Sequence, residues 1–534
     1  MRCDGTYRIP PKATLANTYR ISPNAPAPRL ESELDLNFHA TNVPMDEALR
    51  KSLPETTQQV WDAIAPSGVL DELVVRIGQK GSNNPLDLDL TAVQNDVGQV
   101  TSRSLSLRPT SLPYRIDVTA GEVHFDGSRV TIDSIEGQHD ASKLSADGIC
   151  VKNHQGRWQL MLNVHGGSRL LPDAELIAAL PDQMREAMRC LQLRGPVNLR
   201  GQTLLSLPDA THVEPAIQWD LVLQLEGNRI ADVGPVHSIR GEIQIKGVRD
   251  ELGPRATGDV MIDSLHVYDL QVTGIHGPFS VDGEKLYLGN SSLRRAISAD
   301  QVGDPSGEAS SIRGKIFRGD IELDGELTLA SGKFDVGISL DAAELPTVLA
   351  DFGHADNELT GMFTAQARLQ GNLGQSDLLK GSGNARVSGA NLYKLPLIVK
   401  VLNLLRVDPS KDVAFTDGQM EYTIFGDTIT FSDLQIWGDL VTLQGGGTLD
   451  SRRELDLTFN TRVSPKNSFS QVFRPLRSQR YTLWTIDVRG PLHALEIERR
   501  ALEGVGETLE RIFPGMSDRA PQEETASRSG GWFR

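Results

Sequence analysis

Ile321-Glu-Leu-Asp-Gly-Glu-Leu-Thr-Leu-Ala-Ser-Gly-Lys-Phe-Asp-Val-Gly-Ile-Ser-Leu340 decides the fold class. Apolar residues recur at every second position: Ile321 and Leu323, then Leu327 and Leu329, then Phe334, Val336, Ile338 and Leu340. A period of two puts them on one face of a β-strand and the intervening polar residues on the other. Asp324-Gly325 and Ser331-Gly332 break the run with residues that tight turns favour, so the stretch reads as strands joined by two hairpin turns. The product is an antiparallel meander with one apolar and one wet face.

The same alternation recurs along the chain. It is seen at Leu34, Leu36 and Phe38, at Leu86, Leu88 and Leu90, at Val123 and Phe125, and at Val130 and Ile132. It returns at Leu221, Leu223 and Leu225 and at Ile243 and Ile245. Helical signals are few, and each follows an extended segment that reaches a proline: Pro44 before Asp46 to Ile64, Pro172 before Ala174 to Leu191, Pro346 before Thr347 to Phe352, and Pro465 before Ser468 to Leu476. After these excursions the chain closes on a glycine, as at Gly201, Gly371 and Gly490. The unit reads as strand, Pro-started excursion, strand and Gly stop, a degenerate repeat too long and uneven for a simple solenoid. The fold expected is mainly β, with a few short helices.

Composition agrees. The 534 residues carry 54 Lys and Arg against 70 Asp and Glu, a net charge of −16, which argues against nucleic acid as a partner. Hydrophobic residues at 39% support ordered structure without several membrane spans. Aromatics at 5% beside 50 glycines favour many short strands and turns. Cys3, Cys150 and Cys190 form no metal or disulfide framework, and a Cys150–Cys190 bridge stays open as a possibility. Met1 to Tyr7 contains no apolar run of signal-peptide kind, and Pro10 to Arg29 reads as a linker, so the chain is expected to begin partway along a longer protein. The segments expected are a linker-like start over 1–30, β-repeats with helical excursions over 31–377, a distinct region over 378–515 and a disordered tail over 516–534.

The sequence carries no recognisable catalytic pattern. The eleven histidines show no metal-ligand spacing, and Asp87 and Asp89 fall on the wet face of a strand. Gly381-Ser-Gly383 carries Arg386 where a dinucleotide loop needs its third glycine, and Gly445-Gly-Gly447 reads as a bulge or turn in a strand. No cofactor is expected, and the chain gives no positive reason to be read as an enzyme.

From about Leu378 to Phe513 the pattern is more specific. Gly381-Ser-Gly-Asn-Ala-Arg-Val-Ser-Gly-Ala-Asn-Leu-Tyr393-Lys-Leu-Pro396 precedes the apolar run Leu397 to Leu405. Strands follow, with Leu434-Gln-Ile-Trp437-Gly, Gly447-Thr-Leu-Asp450 and Leu455-Asp-Leu-Thr-Phe459. This resembles the carboxyl-terminal region of the AsmA-like family of bacterial envelope proteins, relatives of bridge-like lipid transfer proteins. The resemblance implies an elongated, strongly curved antiparallel sheet, open like a folded taco, with an apolar inner face. It also implies a periplasmic or envelope location, attachment to the inner membrane through a segment absent from this chain, and a role in phospholipid transport or outer-membrane assembly, with envelope proteins as possible partners.

Candidate groove residues for phospholipid or another acyl lipid are Leu86, Leu88 and Leu90, then Ile321, Leu323, Leu327, Leu329, Phe334, Val336 and Ile338, and finally Leu455, Leu457 and Phe459. Leu395, Leu397, Ile398, Val401, Leu402 and Leu405 form a run too short to span a bilayer, either a helix capping the sheet or one resting on a membrane surface. Alternation alone leaves open what covers the apolar face. A β-sandwich fills it with a second sheet, and the alternative function is a structural or adhesive β-repeat protein that binds other proteins.

Overall fold

The computed structural model describes residues 2–8, 33–53, 55–80, 84, 86–95, 104–110, 113–180, 185, 188–189, 191–208, 215–230, 236–250, 253–289, 311–351, 359–392, 398, 415–438, 441–463, 484–491 and 494–501. It is mainly β, a 27-stranded antiparallel sheet interrupted by short helices. The strands are Arg2–Arg8 (β1), Glu33–Pro44 (β2), Val69–Lys80 (β3), Asp87–Gln94 (β4), Ser106–Leu107 (β5), Ile116–Phe125 (β6), Arg129–His139 (β7), Ser142–Lys152 (β8), Trp158–Leu170 (β9), Leu193–Arg194 (β10), Val197–Ser206 (β11), Ala216–Ile230 (β12), Val236–Asp250 (β13) and Gly253–Val267 (β14). Leu270–Asp282 (β15), Lys285–Leu288 (β16), Ile312–Ile316 (β17), Gly319–Thr328 (β18), Lys333–Glu344 (β19), Met362–Asn372 (β20), Gln375–Ser388 (β21), Phe415–Phe425 (β22), Thr428–Gly438 (β23), Val441–Leu449 (β24), Glu454–Val463 (β25), Trp484–Pro491 (β26) and Glu496–Ala501 (β27) follow. The helices are Glu47–Ser52 (α1), Glu55–Ile64 (α2), Ala174–Ala179 (α3) and Leu345–Asp351 (α4).

The chain divides into two compact units. The first comprises Met1–Ile316, Asp320–Ile338 and Gln370–Gln375, and the second Phe317–Gly319, Ser339–Leu369 and Ser376–Arg534. The second unit thus takes in Ser339–Leu369 as well as the residues from Ser376 onward. The reason is packing: Leu345 and Leu349 of α4, with Leu359 and Phe363, join the hydrophobic core of that unit.

In the first unit each long strand pairs antiparallel with the next, and the register keeps apolar residues opposite one another. One row runs Phe38, Val75, Leu90, Phe125, Val130, Cys150, Leu160, Leu205 and Ile217, nine strands crossed without a polar residue. A second runs Leu221, Ile245, Gly258, Phe279, Leu288 and Gly325. Direct cross-strand partners share a face, so both rows belong to one continuous apolar side of the sheet. Arg2–Arg8, at the start expected to be linker-like, extends this ladder as a strand paired with β2. Cys150 is a free thiol buried in the first row, and burial pushes it up to about 11.

Asp324-Gly325, expected as a hairpin turn, lies inside β18, where Gly325 pairs with Leu288. Ile321, Leu323, Gly325 and Leu327 have the same parity, so the alternation never breaks. The glycine simply occupies an apolar-face position, and a Cβ there would stand 3.1 Å from Val336 Cγ2. Ser331-Gly332 does turn the chain, between β18 and β19. Gly201, read as a stop, is likewise interior to β11.

Where alternation does slip in the sequence, bulges restore the face. Val236 and Ile239 differ in parity, yet both join the cluster of Leu225 and Ile262, because the register shifts between His237 and Arg240 around Ser238 at φ 56°. In β12 the fully buried Asn228 fixes a second bulge: its Oδ1 accepts from Glu226 N at 2.9 Å and its Nδ2 donates to Pro196 O at 3.0 Å.

The second unit is organised around β21 to β27 in sequential antiparallel order. Its core gathers Phe415, Leu443, Leu455, Leu457, Phe459, Ile486 and Val488. Gly445 and Gly447 stand opposite Phe459 and Leu457, where a Cβ would lie 2.0 Å from Thr458 O and 1.9 Å from Asp456 O. The bulge expected at Gly445 to Gly447 is present in the facing strand, where Phe431 and Leu434 pair with Gly447 and Gly445. On the other face Asp487 is buried. Burial works to raise its carboxyl, but hydrogen bonds from Thr458 Oγ1 (2.9 Å) and Arg500, with the charges of Arg500 and Arg489, outweigh that and hold it below the ordinary carboxylate range.

Phe459→Ala should cost about 3–5 kcal/mol, read by denaturant unfolding. A carboxyl lowered on folding stabilises above its unfolded pKa of about 4, and loses that contribution as pH falls through the folded value. Asp487→Asn should therefore destabilise at pH 7 and match the wild type in acid, as followed by unfolding at a series of pH values.

Candidate functional site

Helices cover one stretch of the first unit's apolar face. Asp46 caps α1, its Oδ1 accepting from Ala48 N and Leu49 N at 3.0 Å each. Arg50 clamps α1 to α2 by donating to both oxygens of Asp62 at 2.7 Å, and that guanidinium holds the Asp62 carboxyl below its ordinary value. The pair so fixed lays Leu49 against Leu70, Leu73 and Val118, and Val60 and Ala63 against Phe125, Val130 and Trp158.

α3 is held at one end of the strands by a polar cluster. His139, nearly buried, directs Nδ1 to Arg115 O at 2.8 Å and Nε2 toward Asp173 and Glu175, each 3.8 Å away. Each carboxylate already spends an oxygen locally: Asp173 Oδ1 accepts from Leu176 N at 2.7 Å, and Glu175 Oε1 from Arg108 at 3.0 Å. Tyr114 lies 4.2 Å from the His139 ring and is tilted 41° to it, and burial with the nearby charges of Asp173, Glu175 and Asp140 pushes its phenol up to about 12. Among the described residues no set of three His, Cys, Asp or Glu has metal-binding geometry.

Over β12 to β15 the face differs. Leu221, Leu223, Ile243, Ile245, Val260, Ile275 and Phe279 are only half-buried. Ile243, Val260 and Ile275 pack on the cluster of Leu225, Ile239 and Ile262, which among the described residues draws on strands alone. Aromatic rings lie across glycines on this floor: a Cβ on Gly247 would stand 2.4 Å from Trp219 Cζ2, and one on Gly258 would stand 2.7 Å from Phe279 Cε1. The opposite face of the same strands is charged and paired, with Lys246 on Asp220 at 2.9 Å and Arg200 on Glu242 at 3.2 Å. A cavity of about 710 Å³ opens at the bulges of β12 and β13, but Glu226, Arg240, Glu242 and Asp263 line it, so it is not an apolar trough.

The candidate groove residues are dispersed. Leu86 is 60% exposed and precedes β4, whereas Leu88 and Leu90 pack under α2 with Phe125. Ile321, Leu323 and Leu327 on β18, and Phe334, Val336 and Ile338 on β19, are half-buried, and Leu329 is buried just beyond β18. Leu455, Leu457 and Phe459 are consumed in the second unit's core, Phe459 at 2% exposure. Ile398, 3% exposed, joins the same core, while Leu395, Leu397, Val401, Leu402 and Leu405 lie outside the described residues, as do the excursion after Pro465 and Cys190. The open face of β12 to β15 was visible as alternation at Leu221 to Leu225 and at Ile243 and Ile245. Val260 was hidden because Met261, on the opposite face, makes Val260-Met261-Ile262 an unbroken apolar run.

No family model, curated protein or solved structure matches the chain.

Ile398→Asp should unfold the second unit, at a cost above about 3 kcal/mol for a charge placed in its core. An unchanged melting temperature, with binding to liposomes lost, would instead assign Ile398 to a membrane surface.

Proposed function

We propose that this chain is a non-enzymatic protein of the bacterial envelope or periplasm that holds or conducts phospholipid along an apolar face of its sheet. The observation that carries the reading is the half-buried apolar surface of β12 to β15, with no helix residue in its cluster among the described residues. Apolar surface of that kind favours an acyl partner, because each buried methylene is worth about 0.8 kcal/mol. Roughly ten methylenes would contribute on the order of 8 kcal/mol before the cost of ordering the chain, enough to hold a lipid without polar chemistry. The resemblance of residues 378–513 to the AsmA-like region supports the same reading and its envelope setting, including a role in lipid transport or outer-membrane assembly. A strongly curved sheet, as that resemblance implies, would turn the apolar face inward and shelter its cargo.

Organic extraction and mass spectrometry of the purified protein should find co-purifying phospholipid. Leu223→Ser together with Ile243→Ser should lower uptake of a fluorescent acyl probe about tenfold with the circular dichroism spectrum retained, while Gln244→Ser on the wet face should leave it unchanged. A folded wild type that takes up neither lipid nor probe would point to the structural or adhesive β-repeat protein.

A further inference from the structure

We propose that the open face of β12 to β15 takes its lipid in one orientation, with an anionic headgroup on Arg249 and the acyl chain running toward Leu225. This rests on the lipid-holding reading above and adds to it a headgroup class and a polarity.

Arg249 pairs in register with Ile217 and Pro254, which sets it on the apolar face, two residues beyond Gly247 and four beyond Ile245. It is half-buried. Nearby charges on the wet face are neutralised: Lys246 by Asp220, Arg200 by Glu242 and Arg255 by Asp250 at 2.6 Å. Arg249 forms no such pair among the described residues. A guanidinium left unpaired beside apolar surface gains more from an arriving anion than one already neutralised, and its planar fork matches a phosphate in two parallel hydrogen bonds.

Trp219 adds a second feature at this end of the face. Its indole lies over Gly247, between the aliphatic floor and Arg249. An aromatic ring with one polar edge suits the level where acyl chain gives way to headgroup. Away from Arg249, the face continues through Ile245, Ile243 and Gly241 to Ile262 and Leu225 without a charged side chain. At about 3.3 Å per residue, β13 from Gly241 to Arg249 spans roughly 26 Å, room for an extended fatty-acyl chain.

The test is uptake from vesicles of phosphatidylglycerol or of phosphatidylcholine by the full chain, with bound lipid quantified by mass spectrometry. Wild type should prefer phosphatidylglycerol about tenfold, because both lipids offer Arg249 a phosphodiester but the choline of phosphatidylcholine partly offsets that charge, whereas phosphatidylglycerol is net anionic. Arg249→Gln should erase the preference while keeping phosphatidylcholine uptake and the melting temperature, and Arg249→Lys should keep part of it. Lys246→Gln on the wet face should leave the preference intact. Equal uptake of the two lipids by wild type, or a preference that survives Arg249→Gln, overturns the headgroup assignment and leaves the lipid-holding reading standing. Loss of phosphatidylcholine uptake along with the preference also overturns it, since Arg249 would then be supporting the face itself. No uptake of either lipid by folded wild type overturns both.

Discussion

Cross-strand register is the constraint on which the rest of this structure depends. Side chains in a strand alternate with a period of two, so a slip of one residue against a neighbour would carry a strand's apolar set to the wet side. In the first unit, Phe38 to Ile217 form one row over nine strands, and each residue from Val75 to Leu205 faces an apolar partner on either side. Backbone hydrogen bonds hold neighbouring strands together whatever the side chains are. The choice among registers comes from burial, and bulges such as those at Asn228 and Ser238 reset it where the sequence drifts.

A one-sided sheet must do something with its apolar side, and this protein does so in different ways along the chain. Under α1 and α2 the side is closed, and Trp158, Phe125 and Leu70 become true core. In the second unit Leu455, Leu457 and Phe459 are sealed into a close-packed cluster, and facing glycines let the backbone approach them. Over β12 to β15 the same pattern of residues is half-buried, and the cluster of Leu225, Ile239 and Ile262 draws on no helix among the described residues. The proposed function is a reading of that contrast, since apolar surface that no helix covers among the described residues has the chemistry of an acyl-chain partner.

Much of the architecture is legible in the sequence. Alternation located the strands, and three of the Pro-started excursions became α1 and α2, α3, and α4. The errors have a common cause. Asp324-Gly325 and Gly201 looked like breaks because glycine is most often a turn residue, yet here both glycines sit where a facing strand comes close. Among the candidate groove residues Leu457 and Phe459 alternate like the rest yet are buried in a core, because alternation does not say what packs over a strand. Arg249 is not legible in the sequence, because its place on the apolar face comes from having Ile217 and Pro254 as partners rather than from any local motif.

The sequence by itself determined that this is a β protein with an apolar and a wet face, because the period of two is a property of the extended backbone and is written residue by residue. Only the tertiary structure decided which parts of the apolar face are closed. Cover comes from segments distant in sequence, such as Val60 and Ala63 over Phe125 and Trp158, and alternation within a strand carries no record of what lies across from it. For the same reason, the wet-face cations found their carboxylates while Arg249, on the other face, has none among the described residues. That distinction exists only once strands are set in register.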